Sequence, residues 1–263
     1  MRVDIVTLFP EIFEGFLQAS FVGRGRAGGQ LHVRTRSPRD FGLGKHRSVD
    51  DTPYGGGSGM VMRVDVMVAC MESLDADAPA PDAIAGDAMT PAITSTPARA
   101  HRVLLTPQGQ PLDQARVRTL AARPALMLVC GRYEGFDERI RAHVDEEISL
   151  GDFVMTGGEV AAMAIIEACV RLLPGVLGNQ ASTHEESHGE GTMGLLEYPQ
   201  FTRPAEFRGA GIPDALLSGH HAEIEKWRRK EAERRTKERR PDIFARYEQA
   251  LAALPRPARK RAR

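Results

Sequence analysis

Leu150-Gly151-Asp152-Phe153-Val154-Met155-Thr156-Gly157-Gly158-Glu159 is the stretch on which the reading of the fold turns. Phe153, Val154 and Met155 read as the end of a short buried strand. Gly157-Gly158 has no side chains, so backbone there can approach a ligand closely or turn with φ > 0. The apolar segment 161–173 follows, and Val160, Met163, Ala164, Ala168 and Leu172 fall near helical spacing. Strand, glycine turn and helix start make a common ligand-binding corner. By itself a Gly-Gly pair is more often plain turn chemistry, and its meaning comes from the stretches around it.

Working outward, two similar corners precede it. Residues 102–105 read as a strand closed by Thr106-Pro107-Gln108-Gly109-Gln110, and residues 113–122 as a helix. Residues 125–130 read as a central apolar strand that ends in Gly131-Arg132-Tyr133-Glu134-Gly135, with helix again over 140–144. Ligands of α/β sheets bind at the carboxyl ends of strands. Three converging loops would form a pocket of backbone N–H and C=O groups, suited to an adenine or ribose rather than a metal. No His/Cys cluster has zinc spacing, and His184/His188 is a lone pair in a polar loop. No Ser-His-Asp set is apparent. No G-x-G-x-x-G follows the first strand, which disfavours a nicotinamide dehydrogenase.

The amino-terminal region fits the same class. Residues 3–8 read as a buried strand, 11–21 as a helix, 23–29 as a glycine- and arginine-rich loop and 30–36 as a second strand. Residues 37–60 form a long loop dense in charge and glycine, ending in Thr52-Pro53-Tyr54-Gly55-Gly56-Gly57-Ser58-Gly59-Met60. Bare backbone N–H groups there suit phosphate or sugar oxygens, and a flexible linker is the other reading. Residues 64–73 read as a helix and 74–100 as a surface insertion. After Pro174-Gly175-Val176-Leu177-Gly178, residues 179–194 read as a polar interdomain linker. Residues 195–263 read as a helical domain: a helix over 220–239 with Arg228, Arg229, Arg234 and Arg235 largely exposed, a second begun by Pro241, and a basic tail over 256–263.

Composition sets the limits. The chain has 263 residues, 42% hydrophobic and 27% charged, as in a soluble globular protein. It lacks an apolar run of membrane-spanning length. Three cysteines without metal-ligand spacing point to buried thiols in a reducing cytoplasm. Net charge is zero, yet residues 226–263 carry 15 Lys/Arg against 5 Asp/Glu, a net of +10, which leaves −10 on the first 225. A polyanion partner, nucleic acid first, is one reading of that asymmetry. A solvated helix face with a tail is the other.

Taken as a set, several motifs resemble those of one family. They are Ser37-Pro38-Arg39-Asp40, the run Val49-Asp50-Asp51-Thr52-Pro53-Tyr54-Gly55-Gly56-Gly57-Ser58-Gly59-Met60, Thr106-Pro107-Gln108-Gly109, Cys130-Gly131-Arg132-Tyr133-Glu134-Gly135, Gly151-Asp152 with Gly157-Gly158-Glu159, Pro174-Gly175-Val176-Leu177-Gly178, and Leu217-Ser218-Gly219-His220-His221. Together, and in order from residue 1 to about residue 250, the chain resembles the bacterial tRNA (guanine-37-N1)-methyltransferases, the TrmD-type SPOUT family.

The resemblance implies an α/β domain over 1–178 with a carboxyl-terminal deep trefoil knot, a linker over 179–194, and a helical tRNA-binding domain over 195–263. It implies a cytoplasmic homodimer whose active sites draw on both chains. S-adenosylmethionine would be held by Leu105, Thr106, Pro107, Gly131, Tyr133, Glu134, Leu150, Gly151, Asp152, Phe153, Val154, Met155, Gly157 and Gly158. A tRNA with guanosine at 36 and 37 would be held by Asp50, Tyr54, Gly55, Gly56, Gly57, Ser182 and Glu197. A family Arg that stabilises charge maps to Arg171. The family's linker Asp, the base, falls where this chain has Glu186, with Glu185 an adjacent rival. Glu197 also stands where the family more often has Asp. The family suggests Mg²⁺ dependence, but no ligand set for it is visible. Other readings are a knotted RNA methylase with another nucleoside target, or a non-catalytic RNA-binding protein.

Overall fold

A computed structural model describes residues 1–77, 99–178 and 185–253. The chain divides into two compact units, Met1–Gly178 and Asn179–Arg263.

The first unit is built on five parallel strands: β1 (Arg2–Val6), β2 (His32–Arg36), β5 (His101–Pro111), β6 (Ala125–Cys130) and β7 (Glu146–Ser149). Their order is β2-β1-β6-β5-β7. Helices cover both faces, which is why β1 and β6 are apolar along most of their length instead of alternating with polar residues. Val3, Ile5, Leu126, Leu128 and Cys130 pack on one face with helices α1 (Ser20–Ala27), α3 (Gln114–Ala121) and α4 (Glu159–Val170). Val6, Met127 and Val129 pack on the other with α2 (Val64–Ala76). Asp4, fully buried in β1, is paired with Arg34 Nε at 2.7 Å and Arg2 Nε at 3.1 Å. A two-stranded ribbon, β3 (Asp50–Asp51) and β4 (Val61–Met62), carries the long glycine loop.

Several expectations need correction. Residues 11–21 do not form one helix. They make two 3-10 turns, Pro10–Phe13 and Phe16–Gln18, that bury Phe13 and Leu17. The glycine- and arginine-rich stretch expected as a loop is largely helix α1. Its glycines serve close packing, since a Cβ on Gly25 would stand 2.9 Å from Val170 Cγ2 of α4. The largest correction falls on the opening stretch. Phe153-Val154-Met155 is not a buried strand end but a loop in which Phe153 and Val154 are 56% and 84% exposed. The strand lies earlier, in the acidic run Glu146–Ser149. Those acids are tolerated at the sheet edge because each meets an arginine: Glu146 pairs with Arg116 and hydrogen-bonds to His101, and Glu147 pairs with Arg141. Residues 140–144, read as helix, fall mostly in a 3-10 segment, Glu138–His143. Most of the expected insertion, and the basic tail 256–263, lie outside the described residues.

In the second unit, residues 185–194, read above as linker, make hydrogen-bonded turns. The His188 N–H donates to the Leu195 carbonyl at 3.0 Å, and Gly194 N–H to the Gly189 carbonyl at 3.0 Å. Leu195 is buried with Ala232 and Tyr247 of the helices His221–Arg239 and Pro241–Ala253. Among the described residues no helix is long and apolar enough to cross a membrane.

Candidate active site

A cavity of about 250 Å³ opens at the carboxyl ends of β5, β6 and β7. Leu105 and Gln110 both register with Ile148, so residues 106–109 leave the ladder as a loop and the chain then rejoins it. A Cβ on Gly109 would stand 2.5 Å from Ile148 N, so only glycine lets the two segments cross this closely. After β6, Tyr133 takes φ 59°, a left-handed conformation unusual for a side-chain-bearing residue. Its ring is half exposed at the cavity. After β7, the loop 150–158 closes the wall. Gly158 joins the three corners: its N–H donates to the Gly131 carbonyl at 3.0 Å, and a Cβ there would meet Cys130 Cα at 2.9 Å and Leu105 Cβ at 3.2 Å.

Of the residues assigned to the cofactor, all line this cavity except Asp152, which is exposed and off the wall. The sequence reading missed Gln108, Arg132, Asp137, Glu138 and Arg141, which also line it. Arg132 and Gln108 sit inside quoted motifs, but residue order alone does not say which side chains turn inward. Arg132 lies 4.4 Å over the Phe9 ring and pairs with the buried Glu159, Nη2 to Oε2 2.9 Å. Arg139 holds the Asp137 carboxyl down to about 2 by a hydrogen bond.

The glycine loop is tied to this wall. Glu134 N–H donates to the Met60 carbonyl at 3.0 Å, Met62 N–H to Gly135 at 2.9 Å, and Asp137 N–H to Met62 at 3.0 Å. Asp50 pairs with Met62 across the ribbon. Gly55, Gly56 and Gly57 take φ of 88°, 82° and 135°, which side-chain-bearing residues rarely adopt, and Tyr54 at the loop tip is fully exposed. The substrate candidates of the first unit therefore share one edge with the cavity.

Arg171 caps the carboxyl end of α4 in the first unit. Glu185, Glu186 and Glu197 belong to the second. The Glu186 carbonyl accepts from Gly189 N–H at 2.8 Å, and Glu197 Oε1 accepts from Gln200 at 2.5 Å. Ser182 lies outside the described residues.

Of the arginines expected to be largely exposed on the long helix, Arg229 and Arg234 are exposed and Arg228 and Arg235 are half-buried, and several are engaged by neighbours. Arg234 is held between Glu231 at 2.7 Å and Glu238 at 2.8 Å, Arg229 pairs with Glu233, and Arg228 lies half-buried over the Tyr198 ring at 4.7 Å. Arg235 is half-buried as well. Lys226 and Lys230 are exposed, and among the described residues no carboxylate pairs with either.

The three cysteines are buried and unpaired. Burial pushes the Cys70 and Cys169 thiols up to about 12, and burial followed by the nearby Glu159 pushes Cys130 well up. None is a thiolate nucleophile at neutral pH. Among the described residues no group of three or more His, Cys, Asp or Glu gathers as a metal site would require.

A parallel α/β sheet with a cavity where three glycine-bearing strand ends meet places the chain in the class of α/β proteins that take an organic ligand at the carboxyl edge of the sheet. The family is narrower. The profile described as tRNA (Guanine-1)-methyltransferase TrmD matches residues 1–246, and the chain belongs to that family. Among its relatives, a Sorangium cellulosum protein is 68% identical over 247 residues, 93% of either chain. A Gloeobacter violaceus protein is 53% identical over 93% of this chain and 98% of its own, and a Ruegeria protein 48% identical over 94% and 93%. Each is named tRNA (guanine-N(1)-)-methyltransferase.

Proposed function

We propose that this protein transfers the methyl group of S-adenosylmethionine to N1 of guanosine 37 in the tRNA anticodon loop. The observation that carries the reading is the single cavity wall on which the motif residues of three separate strand ends meet. Family membership supplies the reaction type.

The wall fits the cofactor in kind. Leu105, Ile148 and Ala161 offer apolar surface, the loop backbones offer polar groups, and Gly131, Gly157 and Gly158 stand where a Cβ would collide with its neighbours. When bound, S-adenosylmethionine supplies an already activated methyl group. What remains for the chain is positioning and one proton transfer. N1 of a neutral guanine carries a proton and is a poor nucleophile. In this reading the Glu186 carboxylate accepts that proton, and the Arg171 guanidinium stabilises the negative charge that develops on O6. Glu keeps the carboxylate of the family's Asp but adds a methylene, so its backbone must stand further from N1. Glu185 is the neighbouring alternative.

The same reading takes 1–178 as a knotted cofactor domain, 179–194 as a linker and 195–263 as a tRNA-binding domain. It includes a cytoplasmic homodimer with active sites shared between chains, and the Mg²⁺ dependence that the family suggests, for which no ligand cluster gathers among the described residues. The glycine loop and Asp50 face the guanines, with Ser182 and Glu197 also on the substrate side. N1 is hidden in a stacked base, so the target base must be splayed out to react.

The test is methyl transfer from labelled S-adenosylmethionine to a tRNA with guanosine at 36 and 37, followed by nucleoside analysis. N1-methylguanosine at 37 is the expected product. Binding of both ligands without transfer would replace the enzyme reading with a binding protein.

A further inference from the structure

One buried charge behind the cavity wall has no part in the chemistry above. Glu159 opens helix α4 and is 1% exposed. Thr7 Oγ1 donates to its Oε1 at 2.8 Å, Arg132 Nε to the same oxygen at 3.3 Å, and Arg132 Nη2 stands 2.9 Å from Oε2. The guanidinium is fixed further by the Phe9 ring and by the Thr156 carbonyl, to which Nη1 donates at 3.3 Å. Gly157 lies against the pair, and a Cβ on it would stand 2.3 Å from Arg132 Nε. A buried ion pair assembled from three chain segments, with its cation on the cavity wall, is costly to desolvate and is weak as a stability device.

The charge balance of the wall gives it another use. Arg141 is answered by Glu138 at 2.6 Å and by Glu147, while Asp137 pairs with Arg139 at 2.6 Å. Among the described residues no cation pairs with Glu134. With Arg132 neutralised by Glu159, the wall carries a net negative charge. With Arg132 unanswered, one more positive charge would face the cavity.

We propose that Glu159 is a specificity-determining residue: by neutralising Arg132 it lets the cavity prefer a sulfonium cation over the neutral thioether left after methyl transfer. The inference rests on the S-adenosylmethionine reading above. The positive sulfur is the one formal charge that differs between the two ligands, so a carboxylate acting through Arg132 changes their ratio, whereas a carboxylate that only supports the fold changes both affinities alike.

The experiment measures binding of S-adenosylmethionine and S-adenosylhomocysteine by calorimetry to the full chain at low salt. Glu159→Gln keeps the shape and the acceptor for Thr7 but leaves Arg132 uncompensated. Its preference for the sulfonium over the thioether is expected to fall by roughly tenfold, the scale of one unbalanced charge at an effective dielectric of about 20. The double variant Glu159→Gln, Arg132→Gln is neutral again and is expected to return to the wild-type ratio. A folded Glu159→Gln protein with the wild-type ratio overturns the inference, whether both affinities drop or neither does. Should Glu159→Gln not fold, Arg132→Gln alone is expected to hold or raise the ratio, and a fall there overturns it as well. A wild-type protein that binds neither ligand would instead overturn the cofactor reading itself.

Discussion

Gly158 donates its backbone N–H to the Gly131 carbonyl at 3.0 Å, and this bond joins the loop after β7 to the end of β6. The approach is possible because Gly158 has no Cβ. One built there would stand 2.9 Å from Cys130 Cα, a backbone atom that cannot turn aside. Gly158→Ala is expected to cost about 1–3 kcal/mol by overpacking and to weaken cofactor binding, because the strand ends must part. Thermal unfolding and cofactor titration on the same variant check this. An unchanged melting temperature with unchanged affinity would contradict the geometry.

Arg171 and Glu186 are expected to act on the chemical step. Glu186→Gln should lower kcat by about 10²–10⁴-fold, the usual range for a positioned base, with little change in KM for tRNA. Arg171→Ala should lower kcat by roughly 10²–10³-fold, as loss of a transition-state charge partner does. Single-turnover methylation reads both. If Glu185→Gln loses the step and Glu186→Gln keeps it, the base sits one residue earlier.

Cations on the long helix differ in what they leave free. Lys226, Lys230 and Lys237 fall on one helix face at spacings of four and seven residues, about 6 and 10.5 Å along the axis. Lys237 lies 5.7 Å from the Phe244 ring. Replacing Lys226 and Lys230 by Ala is expected to lower the salt slope of tRNA binding by about one for each phosphate that a lysine no longer neutralises. Arg234→Ala, whose guanidinium is already held by two carboxylates, should leave the slope unchanged. Filter binding across a salt series separates the two.

Asp137 gives a pH prediction. Arg139 holds its carboxyl down to about 2 from an ordinary 3.8. A carboxyl depressed in the folded state adds stability that is present above the unfolded value and is lost as pH falls through the folded one. Wild type should therefore melt above Asp137→Asn at pH 6, with the gap closing between about pH 4 and pH 2. A gap that stays constant over that range would show that the difference does not come from titration.

Much of this is legible in the sequence because it rests on local pattern. The apolar strand at residues 125–130 reads with the bounds the structure has. The helix just before it in the chain, α3, is read to within a residue at each end, and its Asp113 cap accepts from Arg116 N–H. Phe153-Val154-Met155 misleads for an equally physical reason. An apolar tripeptide beside glycines looks the same whether it fills a core or lines a cavity, and the acids of β7 look like surface until His101, Arg116 and Arg141 arrive from elsewhere in the chain. On the long helix, exposure reads correctly for Arg229 and Arg234, but a tally of charges does not reveal that each is paired.

Residue type and order alone show an α/β protein with three glycine corners, and the set of motifs identifies its family. Those are properties of residue type and order, written into neighbours a few positions apart. The packed fold adds that Gly158 bonds to Gly131 and leaves no room for a Cβ against Leu105, that Arg132 turns to the cavity, and that Glu159 stands buried behind it with Thr7. Such contacts join residues as far as 152 positions apart. They depend on how the strands are ordered in the sheet, which no local pattern encodes.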